Sequence, residues 1–104
     1  MKFTNITEYR QAEDLKRLGY ILDKVAAINR KPLNILEIGC GNGNICYQLA
    51  HEGHIVKGID LDENSINYGK SHFKHENLLF DVKPAEELVN GNVYDVVICS
   101  EVLE

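Results

Sequence analysis

Apolar positions in the first third of the chain recur every three or four residues. They form one stripe over residues 7–29, and this period predicts an amphipathic helix. The stripe consists of Leu15, Leu18, Leu22 and Val25, with Ile21 and Ile28 at its margin. Pro32 has no N–H and disfavours helical backbone at Lys31, so we expect the helix to end there.

Beyond Pro32, short apolar runs alternate with helical patterns that are bounded by Gly, Asn or Asp. We predict strands over residues 34–38, 54–60, 77–82 and 94–99. We predict helices over residues 44–52, from an N-cap at Asp62 to about His72, and over 84–89, with a turn at 90–92. Strands that alternate with helices are typical of βαβ units, so the pattern predicts an α/β fold with a doubly wound, mostly parallel sheet.

The length of 104 residues allows one domain at most. We divide it into a leading helix, residues 1–31, and a core, residues 32–104. The run Val96-Val97-Ile98 predicts a strand that is covered on both faces, as in the interior of a parallel sheet. The strand pattern stops soon after this run, which indicates a doubly wound fold truncated after its fourth strand.

Three glycines stand at alternate positions, Gly39, Gly41 and Gly43, directly after the first predicted strand. Glycine has no Cβ and adopts positive φ readily, so a ligand can lie directly against such a loop. The helix that follows offers N–H groups and the positive end of its dipole to a carboxylate or phosphate. A dinucleotide fingerprint, Gly-x-Gly-x-x-Gly, would need its third glycine at Asn44.

Asp60 closes the second predicted strand, 21 residues after Gly39. In a doubly wound sheet ligands bind beyond the carboxyl ends of the strands, where an acid can accept hydrogen bonds from ribose hydroxyls. The alternative is that Asp60 caps the following helix, a role that Asp62 fits better. We therefore favour ribose binding for Asp60.

Residues 34–104 resemble the class I, Rossmann-like S-adenosylmethionine-dependent methyltransferases. The motifs that carry the resemblance are Glu37-x-Gly39-x-Gly41-x-Gly43, Asp60, Tyr94-Asp95-Val96-Val97 and the segment from Cys99 to Glu104. The resemblance implies S-adenosylmethionine as cofactor. It also implies that the glycine loop, which includes Cys40, packs against the methionine part of that cofactor.

The same resemblance implies roles for individual residues. Glu37 would organise the loop and face the cofactor's amino group, Asp60 would bind the ribose diol and Leu61 would lie on the adenine. A backbone carbonyl near Cys99 would receive the ammonium group. The family often has an acid before an Ala-Glu pair, but Pro84 stands there in this chain. The backbone N–H of Ala85 would still reach the adenine edge. An alternative is that Asp81, at the end of the third predicted strand, replaces the missing acid.

The resemblance implies O- or N-methylation of a small-molecule acceptor. The segment from Cys99 to Glu104 looks most like that of the O-methyltransferases of quinone biosynthesis. The enzyme would chiefly align the acceptor behind an activated methyl group, and no residue is assigned as catalytic base. Two alternatives stay open: an NAD-dependent Rossmann oxidoreductase, and a non-catalytic S-adenosylmethionine-binding or regulatory module. In the family the acceptor site is largely built after the fourth strand, so we expect this chain alone to have little or no activity.

Composition excludes several other classes. A net charge of −5 with scattered basic residues argues against nucleic acid as the main partner. Three cysteines without a Cys-x-x-Cys motif, no signal peptide and no long apolar run favour a soluble, cytoplasmic protein with no membrane attachment. We also expect that copies of the chain can associate with one another through the sheet edge that is exposed after the fourth strand.

The remaining histidines and cysteines predict no further chemistry. The pairs His51-x-x-His54 and His72-x-x-His75 lack the His-Glu-x-x-His spacing of a zinc protease, so no metal is expected and the four histidines are read as solvated. Cys40 is read as a small packing residue in the loop. Cys46 and Cys99 are read as core filler.

Overall fold

The computed structural model describes residues 6–84 and 94–99, with side chains described over 16–84 and 94–99. The chain divides into two compact units, Met1–Arg30 and Lys31–Glu104. Several sequence predictions lie outside the described residues: most of the helix over 84–89, the turn at 90–92, and the contact assigned to Ala85.

In the described part of the first unit, helix α1 spans Ile6–Ile28, which confirms the amphipathic helix predicted over residues 7–29. Leu18, Ile21 and Leu22 are half-buried and Val25 is buried. The helix ends where Asn29 adopts left-handed backbone with φ 57°. The N–H of Asn29 donates to the Ala26 carbonyl at 3.0 Å, and asparagine tolerates this conformation at a helix C-terminus.

The second unit is a four-stranded parallel sheet with two described helices, which confirms the predicted fold class. Its elements are β1 (Asn34–Ile38), α2 (Asn44–His51), β2 (Ile55–Asp60), α3 (Glu63–His72), β3 (Leu78–Val82) and β4 (Val96–Cys99). The strand order is β3-β2-β1-β4, so β4 returns to the opposite side of β1. The C-terminal ends of β1 and β2 therefore lie side by side in the sheet.

Helices α2 and α3 pack on one face of this sheet. The register aligns Ile35 with Val56, and Val56 with Leu78, so that three buried side chains share that face. Two residues further along each strand, the same face carries Glu37, Gly58 and Phe80. Since alternate residues of a strand point to opposite faces, both sets of residues lie on the face that receives the helices.

The opposite face of the sheet is only partly covered. Leu36 and Ile59 are buried there beside Ile38 and Tyr94. The prediction that β4 is covered on both faces is wrong, because Val97 is 53 % exposed and Cys99 is also exposed. Among the described strands β4 lies at the edge of the sheet and pairs with β1 alone, so its residues have a neighbouring described strand on one side only. The prediction of Cys99 as core filler is wrong for the same reason.

None of the helices in the described part of the chain is long and apolar enough to cross a membrane.

Candidate functional site

The glycine loop between β1 and α2 is held against the end of β2 by backbone hydrogen bonds. The N–H groups of Gly39 and Cys40 both donate to the Ile59 carbonyl, at 2.9 and 3.0 Å. Gly39, Gly41 and Gly43 have φ values of 71°, 59° and 95°, in a region of backbone conformation that residues other than glycine rarely adopt. The alternation of glycines in the sequence thus produces a loop in which every second residue has positive φ, at the C-terminal ends of two neighbouring strands.

Two of these glycines have different surroundings. A Cβ added to Gly41 would meet no atom within 4 Å, so this peptide faces open space. A Cβ added to Gly43 would lie 2.4 Å from Cζ of Phe80, so Gly43 packs directly on that ring. Gly43 is also the N-cap of α2 and provides no side chain to cap it. Gly41 is therefore the position where a ligand can approach the backbone, and Gly43 allows α2 to pack on β3.

Asp60 links the glycine loop to the start of α3. Its Oδ2 accepts a hydrogen bond from the N–H of Gly41 at 2.9 Å, and its Oδ1 accepts one from the N–H of Asp62, also at 2.9 Å. An ionised carboxylate has about four lone-pair sites, so these two bonds leave acceptor capacity on both oxygens. Asp60 is half-buried, which leaves this capacity accessible from outside.

The N-cap of α3 is Asp62, as the sequence predicts. Its carboxylate accepts from the N–H of Asn64 at 3.1 Å and from the hydroxyl of Ser65 at 2.8 Å. Asp62, and not Asp60, therefore caps α3. Between the two acids in the chain, Leu61 is 74 % exposed.

Glu37 lies beneath the glycine loop and is fully buried, with 0 % of its surface exposed. The thiol of Cys46, in the first turn of α2, donates to its Oε1 at 2.9 Å. The Cys46 pKa is raised well above its ordinary value by a hydrogen bond with the Cys40 thiol, by burial and by the nearby Glu37 carboxylate. The thiol therefore stays protonated and remains a hydrogen-bond donor at neutral pH.

Sequence reasoning missed the part that Gly58 has in this arrangement. A Cβ at Gly58 would lie 2.7 Å from the sulfur of Cys46 and 3.0 Å from that of Cys40, so the two sulfurs occupy the space above this glycine. A glycine inside a strand is a known signal of close approach by another group, and that signal was available at Gly58. The prediction of Cys40 as a small packing residue agrees with its burial.

Other predicted positions lie further along the same edge of the sheet. Cys99 ends β4 opposite Ile38, which brings its backbone to the end of β1. The carboxylate of Asp81 forms ion pairs with Lys57 at 3.8 Å and Lys83 at 3.5 Å. These pairs direct the Asp81 side chain toward lysines, which argues against the alternative that it replaces the missing acid.

The histidines differ from the prediction at one position. His54 is buried, and its Nδ1 accepts from the N–H of Leu33 at 3.1 Å. The prediction that all four histidines are solvated is therefore wrong for His54, because the imidazole satisfies a backbone donor just before β1. Over residues 16–84 and 94–99, no three His, Cys, Asp or Glu side chains are placed to hold a metal ion.

The strand order, the glycine loop after β1 and the acid at the end of β2 define a Rossmann-like domain of the kind that binds nucleoside cofactors. Comparison with known families then identifies the group. A family model described as a methyltransferase domain matches residues 29–104. The chain belongs to this family of methyltransferase domains.

Individual relatives agree with the family. The chain is 40 % identical over 93 residues to a ubiquinone biosynthesis O-methyltransferase of Rickettsia akari, which covers 85 % of this chain and 37 % of that protein. It is 38 % identical over 100 residues to the enzyme of the same name from Mesorhizobium japonicum, covering 85 % of this chain and 40 % of that protein. The chain thus spans about two fifths of the length of these curated relatives.

Solved structures show the same fold. The magnesium protoporphyrin IX methyltransferase ChlM of Synechocystis, solved with bound S-adenosylmethionine, superposes with a TM-score of 0.79 at 21 % identity, covering 95 % of this chain and 50 % of that one. The bifunctional kinase-methyltransferase WbdD superposes with a TM-score of 0.65 at 26 % identity, covering 79 % of this chain and 20 % of that one.

Proposed function

We propose that the chain is the cofactor-binding part of an S-adenosylmethionine-dependent methyltransferase that acts on a small-molecule acceptor. The observation that carries this proposal is the hydrogen bond from Gly41 to Asp60, which joins an open glycine peptide to a carboxylate with remaining acceptor capacity. A nucleoside with a ribose diol needs such an acceptor next to bare backbone. Membership of the methyltransferase-domain family supports S-adenosylmethionine as that nucleoside.

In this proposal each part of the site has one role. The loop, with Gly39, Cys40 and Gly41, contacts the methionine part of the cofactor. Asp60 binds the ribose hydroxyls, and the exposed Leu61 lies on the adenine. Gly43 acts indirectly, through the packing of α2 on Phe80.

Three further positions complete the proposed binding set. Glu37 stabilises the shape of the glycine loop and faces the amino group of the cofactor. The backbone near Cys99 receives the ammonium group, and the backbone N–H of Ala85 reaches the adenine edge. For Cys99 the support is its position at the end of β4, beside the end of β1.

When bound, S-adenosylmethionine supplies a methyl group that is already activated on a sulfonium. The residues of this chain then need only bind and orient the nucleoside, while the acceptor approaches in line with the methyl group. We propose a hydroxyl oxygen of a small molecule as the acceptor atom, which the ubiquinone-biosynthesis relatives support. We assign no catalytic base to this chain.

The proposal also includes a cytoplasmic location and contact with a second copy of the chain along the edge of β4. The absence of a membrane-spanning helix among the described residues is compatible with that location. The position of β4 at the edge of the sheet, among the described strands, supports the contact between copies. Sedimentation of the purified protein over a range of concentrations tests this contact, and a monomer throughout would contradict it.

A binding experiment on the full-length protein tests the cofactor. S-adenosylhomocysteine, the product of the reaction, should raise the melting temperature and bind in calorimetry, whereas NAD should do neither. Asp60→Asn should weaken binding of S-adenosylhomocysteine roughly tenfold to a hundredfold. This substitution removes charge-assisted hydrogen bonds, and its amide NH2 group would face the N–H donor of Gly41 or Asp62.

The matched control is Asp62→Asn, in the same turn. Asparagine caps helices about as well as aspartate, so this variant should bind within about twofold of the wild type. Binding of NAD in preference to S-adenosylhomocysteine would overturn the proposed cofactor. Equal losses in the two variants would show that Asp60 has no special contact with the ligand.

A further inference from the structure

Beneath the glycine loop, a buried carboxylate and a buried thiol form a hydrogen bond that the proposed function leaves unexplained. Glu37 and Cys46 are both 0 % exposed, and the Cys46 thiol donates to Oε1 of Glu37 at 2.9 Å. A carboxylate buried this deeply is costly unless donors satisfy its oxygens. The thiol therefore helps to keep Glu37 buried in this position.

Packing allows the Cys46 side chain little freedom to turn away. Its sulfur and that of Cys40 fill the space above Gly58, where even an added Cβ would be 2.7 Å from the Cys46 sulfur. Gly58 is the residue of β2 aligned with Glu37 in the register. The carboxylate and the thiol are thus held by two adjacent strands and the first turn of α2.

This contact connects the two segments that enclose the glycine loop. Glu37 stands in β1 two residues before Gly39, and Cys46 stands three residues after Gly43. A hydrogen bond between them fixes the end of β1 relative to the start of α2. The loop is short, so its shape depends on how these two ends are spaced.

We infer that Cys46 is a positioning residue for the cofactor site: its thiol holds the Glu37 carboxylate in place and thereby holds the shape of the glycine loop. This inference rests on the proposed function, because it concerns the same site. Cys46 itself touches no ligand in this arrangement. Its effect on affinity passes through Glu37 and the backbone of Gly39, Gly41 and Gly43.

The hydrogen bond can be tested without any ligand, by infrared spectroscopy of the full-length protein. The S–H stretch absorbs where few other protein groups do, and it moves to lower frequency when the thiol donates a hydrogen bond. The difference between wild type and Cys46→Ser isolates the Cys46 band. We expect a band below the frequency of a non-bonded thiol, and a rise in that frequency in Glu37→Gln, because an amide is a weaker acceptor than a carboxylate. A band at the non-bonded frequency in the wild type would overturn the inference.

The consequence for the site is tested by the affinity for S-adenosylhomocysteine. Cys46→Ala removes the donor and should weaken binding about tenfold, whereas Cys46→Ser keeps a donor and should restore affinity to within about threefold of wild type. Leu49→Ala, in the same helix and also buried, is the control for a general loss of packing. It should lower stability but change affinity less than about twofold.

The outcomes separate the two proposals. If the wild type binds and Cys46→Ala binds equally well, the positioning role is wrong and the proposed function stands. If Cys46→Ser binds as weakly as Cys46→Ala, or Leu49→Ala loses as much affinity, the effect is one of packing and the positioning role is again wrong. If the wild type fails to bind, the proposed function fails, and the positioning role fails with it.

Discussion

Substitution of Gly43 by alanine should destabilise the protein much more than the same substitution at Gly41, although both glycines have positive φ in one loop. At Gly43, with φ 95°, a Cβ would lie 2.4 Å from Cζ of Phe80. That ring is 8 % exposed and also lies within 3.2 Å of the Cβ position of Gly69, so it has little room to move. Left-handed backbone costs an L-residue about 1–2 kcal/mol, and overpacking a core costs about 1–3 kcal/mol.

These two contributions predict a loss of about 2–5 kcal/mol in the free energy of unfolding for Gly43→Ala. At Gly41 no atom lies within 4 Å of the added Cβ, so the backbone alone should cost about 1–2 kcal/mol. For the affinity for S-adenosylhomocysteine we expect the opposite order. Once the loss of stability is allowed for, Gly41→Ala should weaken binding more than Gly43→Ala, because the new methyl group at Gly41 occupies the space that we propose for the cofactor. The pair thus separates a packing glycine from a ligand-facing glycine.

Urea denaturation of the full-length variants measures the first effect, and calorimetric titration with S-adenosylhomocysteine measures the second. A double-mutant cycle with Phe80→Leu adds a direct check, since a smaller side chain should recover part of the loss in Gly43→Ala and none of that in Gly41→Ala. Equal stability losses at the two glycines, or no coupling between Gly43 and Phe80, would refute the reasoning.

Two further predictions concern buried contacts. Gly58→Ala should cost about 1–3 kcal/mol of stability, because its Cβ would lie 2.7 Å from the Cys46 sulfur. Since Cys46→Ala alone removes a donor to the buried Glu37, the check is a double-mutant cycle by urea denaturation, in which Gly58→Ala should cost less in the Cys46→Ala background than in the wild type. A cost of less than about 0.5 kcal/mol in the wild type would contradict the packing described. Burial, followed by the charge of Lys31, lowers the pKa of His54 below its ordinary value. His54 therefore binds a proton more readily in the unfolded chain than in the folded one. The free energy of unfolding should fall as pH drops below about 6.5 toward the folded pKa. Urea midpoints measured across this range should depend less on pH in His54→Gln than in the wild type, and an unchanged pH dependence would show that protonation of His54, which accepts from Leu33, does not contribute.

Much of the fold was predictable because local signals and tertiary packing agree. The glycines after β1, the N-cap at Asp62 and the apolar runs each specify a boundary on their own, and the predicted strands lie within a few residues of those in the structure. The juxtaposition of the glycine loop and Asp60 follows from topology, since parallel strands joined by helices bring their carboxyl ends to one edge. Fold class and the location of the site therefore come from pattern and connectivity.

The contacts beneath the loop were not predictable in the same way. The sequence analysis predicts Cys46 as core filler, but the choice of Glu37 as its acceptor depends on the register of β1 with β2 and on the space left by Gly58. The burial of His54 depends on the position of Leu33, which is distant in the chain. The exposure of Val97 reflects the place of β4 in the strand order, which an apolar run alone does not reveal.

The strand order β3-β2-β1-β4 has a consequence for how the molecule is assembled during synthesis. The first three strands can pair with their neighbours as they leave the ribosome, because each follows its partner directly in the chain. The other side of β1 pairs only with β4 among the described strands. This pairing brings together Asn34 and Asp95, which are 61 residues apart in the chain. Contacts of such long range form slowly. One edge of β1 in the nascent chain therefore has unpaired backbone N–H and C=O groups until β4 has been synthesised and has paired with it. We expect chaperones to be most needed during this interval.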